Sequence, residues 1–270
     1  NKLKISFQLG LLGFSFNFIV VIFINRARSL ANSFGLLTLN QAVTDLINST
    51  VFAFIIAPTV FFALPLPFWL TARLGQLLFL AYDCCSWTHL AITVNRFTSL
   101  YAPHAYTMVF SKRTTTFYVV GIWLLAAGIN FYEYLAVNCA FYLPIGQWNF
   151  DFAAGENCEQ VECSMALTAV IATLDLVTLY KFHSVNKFHA QTDSAAFRAR
   201  QRQEFFFLAQ AMLQSTIFYI ELVCCYNIGH LSWMASPWAQ FGLRTIAWIL
   251  AHGLDGLITL LCNRDFRRMI

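Results

Sequence analysis

Seven long apolar stretches follow one another along the chain, at approximately Ile5–Asn25, Ser33–Phe62, Leu74–Tyr101, Thr114–Val137, Ser164–Phe188, Phe205–Ile228 and Trp238–Cys262. Each is long enough to cross about 30 Å of hydrocarbon at about 1.5 Å of rise per helical residue. Buried helices of water-soluble proteins rarely reach such lengths in series. The pattern predicts an all-α membrane protein: one seven-transmembrane helix bundle occupying residues 1–270, with a short amphipathic cytoplasmic helix after the seventh span.

The connections carry charge in alternation, and this predicts the orientation. Arg26 and Arg28, then Lys112 and Arg113, then Lys187, Arg198, Arg200 and Arg202, and finally Arg264, Arg267 and Arg268 all fall on one side. Asp151, Glu156, Glu159 and Glu162 fall on the other, which holds Arg73 and, between Asn227 and Trp238, no charge. By the positive-inside rule the basic side is cytoplasmic and the amino terminus outside, with Lys2 and Lys4 as a small contrary signal. Composition agrees: 59% of residues are hydrophobic and 11% charged, against about a quarter charged in soluble domains. The formal net charge of +4 is spread over the inner connections, where it meets anionic lipid rather than nucleic acid. No cleavable leader is evident in Asn1–Asn25, so the first span is expected to act as its own insertion signal. The sequon Asn48-Ser49-Thr50 lies within the second span, beyond the reach of a glycosyltransferase.

An ionisable side chain in the bilayer costs about 2.5–3.5 kcal/mol on insertion scales, so each should face the bundle interior and find a partner. Here these residues are Asp45, Asp83, Asp175, Glu221 and Asp255. Asn17, Asp45 and Asp255 lie at similar depths in the first, second and seventh spans and are expected to share a polar cluster with water or a cation. Two readings stay open. The cluster specifies helix packing, or it is a switch in which protonation or ion occupancy selects between two packings.

Arg96 ends a mostly apolar span within Asn95-Arg96-Phe97. An arginine so placed often reaches to lipid phosphates, which leaves its company unexplained. Asp45 lies inside Leu39-Asn40-Gln41-Ala42-Val43-Thr44-Asp45-Leu46, Trp123 sits in mid-span, and Asn263-Arg264-Asp265-Phe266-Arg267-Arg268 follows the last span. Together these resemble the rhodopsin-like G-protein-coupled receptors. The segments Ser86–Phe97, Phe206–Gln214 and Trp248–Gly256 narrow the likeness to the nematode serpentine receptor class x, a family of chemosensory receptors. Asn95 stands where an acid usually precedes the arginine, Asp255-Gly256-Leu257-Ile258-Thr259 replaces the common Asn-Pro-x-x-Tyr, and the sixth span lacks its usual proline.

The resemblance implies a multi-pass plasma-membrane receptor, in sensory-neuron cilia, that binds an odorant or pheromone from outside and activates a heterotrimeric G protein inside. It places coupling and activation at Asn95, Arg96 and Phe97. With no acid beside it, Arg96 would take Glu204, a hydroxyl or a backbone carbonyl as its resting partner. The ligand-binding candidates are Tyr82, Asp83, Tyr219, Glu221, Trp248 and His252, each of which also reads as core packing. Phe68 and Trp69, in the first outer connection, read as bundle caps or interfacial anchors rather than ligand contacts.

Receptors of this type usually tie the third helix to the second outer loop by a disulfide, but Thr71 occupies the expected position. Any disulfide must then lie among Cys139, Cys158 and Cys163. Cys139–Cys158 is preferred because it closes a long loop, with Cys163 free or competing. The cysteines within the spans behave as small hydrophobes.

Rival functions fare less well. A retinal photopigment needs a lysine in the seventh span, and the last lysine is Lys187. A zinc hydrolase would have only His89, His252 and Asp255 to use, without a His-Glu-x-x-His or Gly-x-Ser-x-Gly motif, so neither an enzyme nor a resident metal or cofactor is expected. The alternative that remains is a ligand-gated seven-helix chemosensory channel, which an inside amino terminus would favour.

Overall fold

The computed structural model describes residues 2–153, 160–189, 195–229, 231–234 and 236–269. Among them seven helices are long and apolar enough to cross a membrane: α1 (Lys4–Arg26), α2 (Ser33–Phe61), α3 (Phe68–Tyr101), α4 (Lys112–Leu135), α5 (Ser164–Ser184), α6 (Gln201–Ile228) and α7 (Pro237–Cys262). The starts are written locally. Asn32, Ser111 and Ser236 each accept a hydrogen bond from a backbone N–H three residues on, satisfying a donor that the first turn leaves orphaned. At the other end of α3, Ala102 precedes Pro103 and is pushed out of helical geometry, so the helix stops at Tyr101 and a short helix, Pro103–Val109, follows.

The third helix begins at Phe68 rather than near Leu74. Pro67 starts it, and Arg73 interrupts the hydropathy of the first two turns without interrupting the helix. Arg73 donates to Gln76 one turn on and lies over the Tyr134 ring, so its charge is met locally. Phe68 and Trp69 are therefore helical, though still exposed at the rim. Pro58 in α2 cannot donate, and the backbone around it widens into a π-turn at Val51–Ile56 that relieves its ring.

Helix α3 is the axis of the bundle. Its most apolar window is 67% buried, against 22% for α4 and α5, whose remaining faces form the bundle's apolar exterior. Two hydrophobic cores flank a polar middle. One gathers Ile24, Phe34, Leu37, Ile92, Phe207 and Phe266 near Arg96, and the other gathers Phe52, Phe79, Tyr82, Phe141, Phe218 and Trp248 at the opposite end. The single turn Phe266–Met269 is the short amphipathic helix expected after α7, with Phe266 buried and Arg267 and Arg268 exposed. It is fastened to the α1–α2 turn, where the Ser29 N–H donates to Asp265 at 2.8 Å.

A two-stranded hairpin, β1 (Phe141–Tyr142) and β2 (Asp151–Phe152), closes the far end. It sits against α3 at Gly75, where a Cβ would fall 1.9 Å from the Phe141 carbonyl oxygen, so only glycine admits this approach. Cys139, just before β1, is disulfide-bonded. Its expected partner Cys158 lies outside the described residues, as do Glu156 and Glu159, and so do the side chains of Cys163, Glu162, Arg198 and Arg200. Asn48 of the sequon is buried and accepts from the Trp248 indole at 3.2 Å, in keeping with an unmodified side chain.

Gly75→Ala is expected to unseat the hairpin and cost about 1–3 kcal/mol of stability, as overpacking of a close contact does. Thermal melting together with hydrogen exchange over residues 141–152 measures this, and unchanged values in both would show that the hairpin does not rest on α3.

Candidate functional site

The middle of the bundle is polar because three helices each turn a pair of polar residues to the same place. Gln41 and Asp45 of α2, Cys85 and His89 of α3, and His252 and Asp255 of α7 are spaced three or four apart, so each pair shares a helix face. All six are buried. Asp45 Oδ1 lies 2.7 Å from His252 Nδ1 and accepts from the Cys85 thiol at 3.4 Å. Asp255 Oδ2 accepts from Gln41 Nε2 at 2.6 Å and lies 3.3 Å from His89 Nε2. Asn17 joins through the backbone, donating to the His252 carbonyl at 2.9 Å, while Gln214 of α6 donates to the Asp255 carbonyl at 3.0 Å.

Of Asn17, Asp45 and Asp255, the Asn17 side chain bonds only backbone carbonyls among the described residues, and the two aspartates hold separate partners, an imidazole each. Cys85, His89 and Gln41 join the two aspartates beyond the expected set. Their spacing relative to Asp45 and Asp255 was visible in the sequence; the rotation of α3 that brings them inward was not. A second interhelical pair, Thr93 to Asp175 at 3.0 Å, ties α3 to α5, and Trp123 of α4 donates to Asn40, which donates to Thr88.

Above this layer, towards the hairpin, the ligand-binding candidates divide. Tyr82, Trp248 and His252 face one another, with ring centroids 5.4 Å apart for Tyr82–Trp248 and 6.3 Å for Trp248–His252. Glu221 joins them, accepting from the Tyr82 hydroxyl at 3.4 Å and the Cys225 thiol at 3.2 Å. The hairpin enters the same space: Phe141 stacks on Trp248 at 5.8 Å and on Phe150 at 5.1 Å, and Thr245 of α7 holds the loop through Asn149 at 2.6 Å. Tyr219 does not take part. It is 45% exposed on the outer surface of α6, because two residues from Glu221 is the opposite side of a helix. Asp83 is buried but turned away from Glu221 by its one-residue offset from Tyr82, and its Oδ2 has no hydrogen-bond partner among the described residues.

At the other end Arg96 is 4% exposed. One guanidinium nitrogen donates to Glu204 of α6 at 3.0 Å and another to Asn95 at 2.8 Å. The guanidinium plane lies over Phe34 at 4.2 Å and near Phe207 at 5.4 Å, contacts that suit a flat, weakly hydrated cation. Asn95 carries the chain onward to Ser33, and Ser33 meets the Tyr106 hydroxyl at 2.9 Å. Of the partners open to Arg96, the carboxylate of Glu204 is the one found. Phe97 points elsewhere, stacking on Tyr101 at 4.4 Å. Beside this arrangement a cavity of about 510 Å³ opens between the ends of α6 and α7, lined by Arg202, Phe206, Asn263, Arg264, Arg267 and Arg268 among others.

The family model of the serpentine type 7TM GPCR chemoreceptor Srx matches residues 7–263. Serpentine receptor class X 45 of Caenorhabditis elegans is 32% identical over 287 residues, covering 98% of this chain and 79% of that protein. Serpentine receptor class X-43 of the same organism is 25% identical over 189 residues, covering 67% and 58%. Among solved structures, squid rhodopsin superposes with a TM-score of 0.75 over 98% of this chain and 82% of its own, at 16% identity, a likeness of fold alone. Seven apolar helices arranged in a rhodopsin-like bundle, joined to a family match over nearly the whole length, make this a multi-pass membrane protein that belongs to the Srx family of serpentine seven-transmembrane GPCR chemoreceptors.

Proposed function

We propose that the chain, acting as one receptor domain, binds a small odorant or pheromone at the hairpin end and activates a heterotrimeric G protein at the Arg96 end. The amino terminus and the hairpin face outward in this reading, on the basis of the arginine-rich connections at the opposite end. The ligand meets Tyr82, Glu221, Trp248 and His252, displacing or sliding under the phenylalanines of the hairpin, with Asp83 at the margin. Aromatic walls around one carboxylate suit a small amphipathic molecule with a hydrogen-bond donor.

The observation that carries the proposal is the state of Arg96. A buried cation is held to α6 through Glu204 and through stacking on Phe207, and to α2 through Phe34. Any outward movement of α6 separates Arg96 from two of these three partners and uncovers it beside the basic cavity, where the G protein docks. The resting state is therefore the one in which the contact is made, and ligand binding shifts the population by preferring the other. Glu204 is 42% exposed at its side chain, so the ion pair contributes only on the order of 1 kcal/mol, a factor of about five in the resting equilibrium.

Three outcomes are expected in a heterologous membrane under an odorant screen with G-protein turnover as the readout. Arg96→Ala at equal surface level abolishes ligand-driven turnover. Glu204→Gln raises ligand-independent turnover about fivefold, in proportion to the lost ion pair. Glu221→Gln and Tyr82→Phe each weaken ligand potency about tenfold, the loss of a charge-assisted hydrogen bond, while leaving maximal turnover intact. An ionic current without G-protein turnover, unaffected by Arg96→Ala, would replace the receptor reading with a channel. An antibody tag on the amino terminus that stains only permeabilised cells would reverse the orientation.

A further inference from the structure

The polar middle of the bundle contains donor atoms that hydrogen bonding alone does not account for. Asp45, Cys85 and His252 come from three different helices, and their carboxylate oxygen, sulfur and ring nitrogen all lie within 4.8 Å of one another. Cys85, His89 and Asp255 form a second such group around the same sulfur. Asp45 and Cys85 are fully buried and His252 is 2% exposed. Asp45 Oδ2 and His252 Nε2 have no hydrogen-bond partner among the described residues, so the contact between Asp45 Oδ1 and His252 Nδ1 leaves both residues of the first group incompletely satisfied. Leaving such atoms unpaired in the interior of a membrane bundle is costly.

We propose that Asp45, Cys85 and His252 bind a borderline transition-metal ion of the Zn²⁺ type, with the fourth position falling to a group of the second triad. This departs from the expectation that the chain holds no metal, because Cys85 faces Asp45 instead of packing only as a small hydrophobe. The ligand chemistry sets the class. Thiolate and imidazole select zinc and its neighbours, whereas sodium, calcium and magnesium prefer all-oxygen shells. The spacing is near what is needed: metal–ligand distances of about 2.0–2.3 Å place tetrahedral ligands about 3.3–3.8 Å apart, and Cys85 Sγ stands 3.4 Å from Asp45 Oδ1. His252 and Asp45, now 2.7 Å apart, need to spread slightly to admit the ion between them.

Charge favours occupancy. The ion replaces the thiol proton of Cys85, which leaves to solvent, and the carboxylate and thiolate then neutralise a divalent cation with His252 neutral. Supporting groups are already in place, since Gln41 orients Asp255, and Asn17 holds the backbone at His252. The bound ion fastens α2, α3 and α7 to one another directly beneath Tyr82 and Trp248, stabilising the helix arrangement described above. Nothing in this depends on which ligand or G protein the receptor uses.

The test uses the full chain, purified in lipid nanodiscs after treatment with chelator, and titrated with Zn²⁺ and separately with Co²⁺. One equivalent of Zn²⁺ per chain is expected, raising the melting temperature, and Co²⁺ is expected to give the thiolate-to-cobalt charge-transfer absorption of a cysteine-ligated tetrahedral site. Cys85→Ser abolishes that absorption, and Cys85→Ser, His252→Gln and Asp45→Asn each weaken Zn²⁺ binding at least tenfold, while Cys84→Ser, at the neighbouring buried thiol, leaves both unchanged. Should a variant not fold, the wild-type chain still decides: Zn²⁺ should protect Cys85, read by mass spectrometry, from alkylation. Absence of the charge-transfer band, equal alkylation of Cys85 with and without Zn²⁺, or stabilisation by sodium chloride in the absence of any Zn²⁺ effect would each overturn the site.

Discussion

Two carboxylates, Asp45 and Asp255, are buried in the middle of a bundle that meets lipid on its outer faces, where an ionisable group is costly unless it finds partners. The helix arrangement answers this constraint. Rotating α3 to present Cys85 and His89, and α7 to present His252, gives each aspartate an imidazole from a neighbouring helix at hydrogen-bonding or ion-pair distance. In lipid the hydrophobic effect scarcely distinguishes one helix rotation from another, because hydrocarbon surrounds the apolar faces whichever way they turn. Polar pairing and close packing of small residues decide instead. The crossing of α1 and α7 at Gly13 and Gly253, where a Cβ on either would meet the other's Cα at 2.9–3.2 Å, is the second half of the same solution.

From that layer the two ends differ in kind. Towards the hairpin the bundle is filled by stacked aromatic rings, an interior built from contacts that any flat apolar guest can imitate. Towards Arg96 it is held by a short chain of directional bonds, from Glu204 through Arg96 and Asn95 to Ser33 and Tyr106. The first kind of packing tolerates exchange of a ring for a ligand. The second holds or breaks as a unit, because a buried guanidinium that loses its carboxylate must find other partners. One rigid helix, α3, contributes to both ends and to the layer between, with Tyr82, Cys85, His89, Asn95 and Arg96 along its length.

Much of this was legible from residues alone, and the exceptions are instructive. Glu204 was one of the partners the sequence left open to Arg96, beside a hydroxyl or a backbone carbonyl, and the packing of α6 against α3 selects it. The shared layer of Asn17, Asp45 and Asp255 was readable from depth. Tyr219 faces outward rather than into the candidate ligand site, since sequence gives depth along α6 but not its rotation, and two residues from Glu221 is enough to reverse the side. Phe68 and Trp69 lie outside the apolar run that begins near Leu74, yet the helix starts at Phe68, after Pro67, and accommodates Arg73 through Gln76 and Tyr134.

The sequence by itself determined that there would be seven apolar helices and roughly where each would lie, because crossing hydrocarbon requires an apolar run with every backbone group bonded within its own helix. It also determined which residues would need partners, since an acid or arginine within a span is costly unless it turns inward and meets one. What it could not determine was which partner each would find. That depends on the rotation of every helix about its axis and on contacts such as Phe141 against Gly75, between residues far apart in the chain. Only the packed bundle settles those rotations together, because the polar pairs that fix one helix belong equally to its neighbours.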